Sequence, residues 1–184
     1  MGSANAKSAA PERDVAVEGG SSPERGHEAE RGVEEQLGAF SRDDVRLRVP
    51  AANCREAIQR AADVLIAEGK IEQGYVDEMY AAFDTYGPYF VLAPGMAFAH
   101  SKPSASVLAT GLSLVTLERP VPFGSEANDP VWLVCVIASR NSSEHLAQLK
   151  RVVGFLADDR AVGMLRDAKT EEDLGEVVRA LNAF

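Results

Sequence analysis

The longest clear apolar run in the chain, Val131 to Ala138 (VWLVCVIA), limits what can form around it. It falls far below the roughly 20 apolar residues that a membrane-spanning helix needs. Its β-branched and aromatic residues favour a strand over a helix. Asn128-Asp129-Pro130 forbids helix immediately before it, because the residue ahead of a proline is pushed out of the helical region. Cys135 sits inside the run and reads as a small buried hydrophobe; with Cys54 it makes neither a disulfide framework nor a metal-binding pair.

Other elements follow from the same kind of reading. Val45 to Val49 (VRLRV) alternates apolar and basic side chains and stops at Pro50, as a half-exposed strand would. Asn53 with Glu56 forms a capping pattern, and Ala57, Ile58, Ala61, Val64 and Leu65 then recur at helical spacing until Gly69. Tyr75, Val76, Met79, Tyr80 and Phe83 repeat that period up to Gly87-Pro88, which predicts a second helix. Extended segments are expected over about 89–99, interrupted by the Pro94-Gly95 turn, then over 110–117 and 131–138. Three helices should follow: one starting at Ser142 or Ser143 and running to about Ala157, a short one near 159–167, and one capped by Thr170 with Asp173 at the capping-box position. The order β-α-α-β-β-β-α-α-α predicts an α/β (α+β) fold, three layers with a mixed sheet between helices.

At 184 residues the chain is long enough for one well-buried core, and a single domain from Val45 to the C-terminus is expected. Residues 1–44 read differently. Over residues 1–40 Ala, Glu, Gly, Ser, Pro and Arg dominate, with eight acidic against four basic side chains, a composition that cannot bury enough to fold. This stretch is expected to be a disordered acidic tail. The formal net charge of −9 argues against nucleic acid and anionic membrane surfaces, which both call for a basic footprint. The N-terminus has no apolar signal-peptide core, so the cytoplasm is the expected compartment.

Chemistry concentrates at two of the three histidines. His100 ends the apolar stretch GPYFVLAPGMAFAHSKP and enters a polar Ser-Lys-Pro turn, where a neutral imidazole can act as a nucleophile towards a phosphoryl donor; an ordinary surface loop histidine fits the same residues. His145 lies in SSEHLAQL after the other strongly apolar run. With Ser142 as N-cap it falls in a first helical turn, where free N–H groups and the helix dipole attract anions. The same dipole disfavours imidazolium, so His145 is expected to stay neutral near pH 7 and donate an N–H to phosphoryl oxygens; a surface or capping histidine is the plain alternative. Ser101 and Lys102 offer a hydroxyl and a mobile cation, or else an ordinary solvated turn. A zinc site would need further ligands that neither cysteine is placed to supply, so no metal is expected. No glycine-rich phosphate loop is present in the sequence, and no nucleotide cofactor is expected.

The two segments YVDEMYAAFDTYGPYFVLAPGMAFAHSKP and PVPFGSEANDPVWLVCVIASRNSSEHLAQL resemble the enzyme IIA domain of the bacterial sugar phosphotransferase system (PTS), of the mannitol/fructose type and nearest its ascorbate-type members. The resemblance runs from about Val45 to the C-terminus. It implies a phosphohistidine carrier: His100 would take a phosphoryl group from phospho-HPr, on its tele nitrogen, and pass it to a cysteine of a cognate IIB component, while His145 steadies the phosphoryl group. Ser101 and Lys102 would support the site, no cofactor or metal would take part, and the sugar would meet only the IIC transporter. The chain departs from the family pattern at Ala99, where many members have Pro, and at Ser101-Lys102, where ascorbate-type members tend to have Ala-Arg. A regulatory module that keeps the fold and signals through protein contact is the alternative. An apolar ring including Phe98 and Phe123 is expected around a shallow docking site.

Overall fold

The computed structural model describes residues 39–183. Elements run in chain order as β1 (Val45–Val49), α1 (Cys54–Ala67), α2 (Gln73–Tyr86), β2 (Met96–Ala99), β3 (Gly111–Val121), β4 (Val131–Ala138), α3 (Ser142–Leu156), α4 (Asp159–Asp167) and α5 (Glu171–Leu181). This is the order the sequence predicts. The local signals hold as well. Asn53 Oδ1 accepts from Glu56 N at 3.0 Å, and Thr170 and Asp173 form a reciprocal capping box. The first helix ends in a Schellman arrangement, with Gly69 N–H on Ile66 O and Lys70 N–H on Leu65 O, both at 2.9 Å.

The sheet order is β1-β3-β4-β2. β1 runs parallel to β3, β3 antiparallel to β4, and β4 parallel to β2, so the sheet is mixed. All eight residues of β4 are buried, because helices cover both faces and an unbroken apolar strand suits a doubly covered position. Side chains alternate between two cores. Ala97, Ala99, Val134, Val136 and Ala138 face α1 and α2 together with Ile58, Leu65, Val76 and Met79. Phe98, Leu133, Cys135 and Ile137 face the other layer with Val152, Phe155, Leu165, Val177 and Leu181. Each such Val, Leu, Ile, Met or Phe side chain contributes about 1.5–3 kcal/mol when fully buried.

The extended stretch expected over 89–99 shrinks to four residues. Tyr89 N–H bonds Gly87 O and Val91 N–H bonds Pro88 O, turning the chain, and Phe98 N–H reaches Phe90 O at 2.8 Å. The Pro94-Gly95 turn folds residues 88–95 back along β2 rather than merely interrupting a strand, since Gly95 adopts φ +75°.

The tail assigned by composition to residues 1–44 falls, as far as residue 38, outside the described residues. Residues 39–44 pack on the domain. Phe40 N–H bonds Asn182 Oδ1 at 2.7 Å and Phe40 O accepts from Asn182 Nδ2 at 2.8 Å. Asp44, 5% exposed, accepts from Ser41 N–H and Oγ and from Lys70 Nζ. Among the described residues no helix is long and apolar enough to cross a membrane.

Candidate functional site

Parallel pairing places the site. β2 and β4 are neighbours running the same way, with Ala99 beside Val136, so their C-terminal ends open on one edge of the sheet. β3 runs oppositely, and Gly111 beside Ala138 brings its start to that edge. Loops leaving adjacent parallel strands form a crevice there, the common position for sites in open α/β sheets. His100 is the first residue after β2. His145 reaches the crevice from α3, which begins four residues after β4 ends. The two imidazoles stand with centroids 5.3 Å apart and planes at 47°.

A cleft of about 560 Å³ opens over them, lined also by Ser101, Lys102, Ser139 and Ser142, by Tyr86 at the end of α2 and by Tyr89 of the α2–β2 connection. The four residues that the sequence offered for this chemistry thus meet in one place. Among the described residues lining the cleft, none is a carboxylate and Lys102 is an exposed cation, so an anion fits here despite the chain's net charge of −9.

The His100 ring is held in one tautomer. Its Nδ1 lies 2.7 Å from Phe98 O. A carbonyl oxygen only accepts, so Nδ1 carries the proton and Nε2 is left with its lone pair. The Tyr89 hydroxyl donates to His100 O at 2.7 Å, and the Tyr89 ring meets the imidazole edge-on at 5.6 Å.

His145 differs in detail from the sequence expectation. The N-cap of α3 is Asn141, not Ser142: Asn141 Oδ1 accepts from Glu144 N–H at 3.0 Å. Asparagine is as good a cap as serine. One consequence is that His145 N–H is already bonded to Asn141 O at 3.1 Å. The open N–H groups at this helix start belong to Ser142 and Ser143. Burial first, and the neighbouring His100 second, push the His145 pKa below the usual histidine value. Neutrality near pH 7 therefore follows, with burial as the main cause where the helix dipole was expected to act.

Behind His145 lies a group that sequence reading passed over. Glu144 is 5% exposed. Its carboxylate accepts from Thr110 Oγ1, from Arg140 N–H at 3.3 Å and Nη2 at 3.2 Å, and from Asn141 Nδ2 at 2.8 Å. It joins the start of α3 to the start of β3. Ser139 is fastened similarly, its Oγ donating to Gln148 Oε1 at 2.9 Å.

The expected apolar ring is corrected. Phe98 lies in the core under α3–α5, because strand alternation turns it to the face opposite Ala97 and Ala99, and those helices cover it there. Phe123 packs edge-on against Phe83 and Phe90. The apolar surface beside the cleft comes instead from Tyr86, 70% exposed, with Ala81, Ala82 and Tyr89. The connector from Phe123 to Pro130 is a structural brace. Asp129 accepts from the N–H groups of Phe123, Gly124 and Ser125, and Asn128 ties to Val91 O and Gly95 N–H. Cys135 is fully buried and its thiol pKa is pushed up by that burial. Among the described residues, no group of three or more His, Cys, Asp or Glu side chains is gathered as metal ligands would be.

Residues 39–180 match the family model for the phosphoenolpyruvate-dependent sugar phosphotransferase system, EIIA 2. The ascorbate-specific PTS system EIIA component of Shigella boydii is 33% identical over 140 residues, covering 76% of this chain and 91% of that protein. The crystal structure of IIA mannitol from Escherichia coli superposes with a TM-score of 0.66 at 27% identity, covering 77% of this chain and 99% of the other. A complex of enzyme IIA mannitol with phosphorylated enzyme IIB mannitol from Escherichia coli gives the same TM-score and identity, covering 76% and 96%.

Proposed function

Since the chain belongs to the EIIA 2 family of the phosphoenolpyruvate-dependent sugar phosphotransferase system, we propose that it carries phosphoryl groups on Nε2 of His100, accepting them from phospho-HPr and donating them to a cysteine of a IIB component. The observation that carries this reading is the bond from His100 Nδ1 to Phe98 O, which leaves Nε2 as the nucleophile beside His145 in a cleft lined by no carboxylate among the described residues.

The Nε2 lone pair attacks phosphorus in line. The bond from phosphorus to HPr breaks and its electron pair leaves with HPr. Positive charge grows on the ring as the new P–N bond forms, and Phe98 O, accepting from Nδ1–H, stabilises it. His145, neutral, donates a ring N–H to a phosphoryl oxygen. Lys102 supplies a mobile positive charge and Ser101 a hydroxyl. In the second half-reaction the IIB thiolate attacks phosphorus, the P–N bond breaks, and His100 recovers its lone pair.

Tyr86, Tyr89 and the two alanines give an apolar margin suited to transient docking of protein partners. The likeness to a IIA that is complexed with phosphorylated IIB supports a IIB partner, and the relatives described as ascorbate-specific support ascorbate as the transported substrate. We infer a cytoplasmic setting for this reaction.

Incubation of the full chain with phosphoenolpyruvate, enzyme I and HPr tests this. Acid-labile phosphate is expected on the wild type and absent from His100→Ala. An unlabelled wild type with a competent HPr overturns the relay, and label persisting on His100→Ala overturns the site. Adding a IIB component should drain the label; label that stays on His100 with every IIB tried marks a regulatory module instead.

A further inference from the structure

Where β2 ends, two phenolic hydroxyls take over from the sheet. Past Ala99 the backbone groups of His100 and Ser101 lose their strand partner. Tyr89 Oη donates to His100 O at 2.7 Å. The Tyr75 hydroxyl accepts from Ser101 N–H at 3.0 Å and shares its single proton between Ile137 O at 2.9 Å and Ser101 O at 3.1 Å. Ile137 is the residue of β4 just beyond Val136, which pairs with Ala99. The hydroxyl therefore stands where β2 would have continued, and it binds the exit of β2 to β4. Tyr75 is 1% exposed in the core beneath the sheet, and burial pushes its pKa up to about 12, so it stays a neutral donor and acceptor at any working pH.

We propose that Tyr75 is a positioning residue for phosphoryl transfer: its hydroxyl fixes the direction in which the chain leaves the sheet at His100 and so holds Nδ1 on Phe98 O and Nε2 towards the cleft. It touches neither phosphoryl group nor protein partner, since it lies under the sheet edge and outside the cleft lining. The inference rests on the phosphocarrier reading for its kinetic part only; the orientation of His100 is a property of the unphosphorylated protein.

Tyr75→Phe removes one oxygen and keeps the ring. In the wild type, ring nitrogen NMR shifts should show His100 protonated at Nδ1; in Tyr75→Phe the two shifts are expected to move towards each other as the tautomers mix. The kcat for phosphoryl transfer from phospho-HPr, per folded molecule, should fall on the order of tenfold with KM unchanged, as misaligned reacting groups predict. Val76→Ala, a core truncation on the same helix, serves as control: it lowers stability and should leave kcat and the His100 shifts at wild-type values. Tyr75→Phe with wild-type nitrogen shifts and wild-type kcat overturns the proposal. A wild type that takes no phosphoryl group defeats the phosphocarrier reading, while the nitrogen shifts still judge Tyr75. The Ser101 amide of the wild type gives a check without any variant: it should exchange slowly with solvent, and exchange as fast as that of Lys102 overturns the bridge.

Discussion

His145 faces His100 across 5.3 Å between ring centroids, yet the two rings are prepared differently. His100 is tied at Nδ1 to Phe98 O. His145 is half-buried on α3 with its pKa lowered by burial and by His100. One ring presents a lone pair and the other a neutral N–H, the division of labour that an anionic phosphoryl group needs.

The lowered His145 pKa makes stability depend on pH in a definite sense. Between the folded midpoint and the ordinary value of 6.5, the unfolded chain binds more protons than the folded one, so stability rises with pH across that window. This contribution is complete above the ordinary value and is lost as pH falls through the folded pKa. Urea unfolding at several pH values should show the slope in the wild type and a flatter response in His145→Asn. In His100→Asn the NMR midpoint of His145 should rise part of the way to the ordinary value, because burial remains.

Glu144 should matter out of proportion to its place on a helix. Glu144→Ala removes the shared acceptor of half-buried Thr110 Oγ1 and of the Arg140 N–H and Asn141 Nδ2 of two exposed residues, and each lost hydrogen bond costs about 0.5–1.5 kcal/mol. Glu144→Gln keeps a carbonyl acceptor and should cost less. The Arg140 guanidinium is more than half exposed, so its ion pair adds little. Chemical denaturation of the two variants checks the ranking, and equal losses would count against a buried acceptor role.

Two glycines with similar positive φ should differ sharply on replacement. At Gly69 (φ +67°) an added Cβ meets nothing within 4 Å, so Gly69→Ala carries only the left-handed backbone cost of about 1–2 kcal/mol. At Gly95 (φ +75°) the Cβ would collide with the Trp132 indole, adding overpacking of about 1–3 kcal/mol. Thermal unfolding should place Gly95→Ala clearly below Gly69→Ala; the reverse order would contradict the packing of Trp132 on the Pro94-Gly95 turn.

The order of elements was legible because apolar periodicity and caps are local: Asn53, Gly69, Thr170 and the VWLVCVIA run each act within a few residues. The pairing of His100 with His145 was legible only as two strand exits, and parallel neighbours made it real. What stayed hidden needed the third dimension. Tyr75 fits the helical apolar period and reads as core, and nothing local reveals that its hydroxyl reaches Ser101 and Ile137. Glu144 reads as a solvated helix residue until Thr110, 34 positions earlier, arrives beside it. Phe98 and Phe123 were expected at the rim because they are near the motifs in sequence, but strand alternation and the Asp129-held turn send both inward. Asn141 lost to Ser142 as the expected cap because neighbouring residues compete for the same role.

The most direct measurement is nitrogen and phosphorus NMR on the chain phosphorylated through enzyme I and HPr, which reads both the residue and the ring atom that carry phosphorus. A single phosphohistidine at His100 with phosphorus on Nε2 and the proton on Nδ1 is the expected result. Phosphorus on Nδ1 of His100, or on His145, would contradict it.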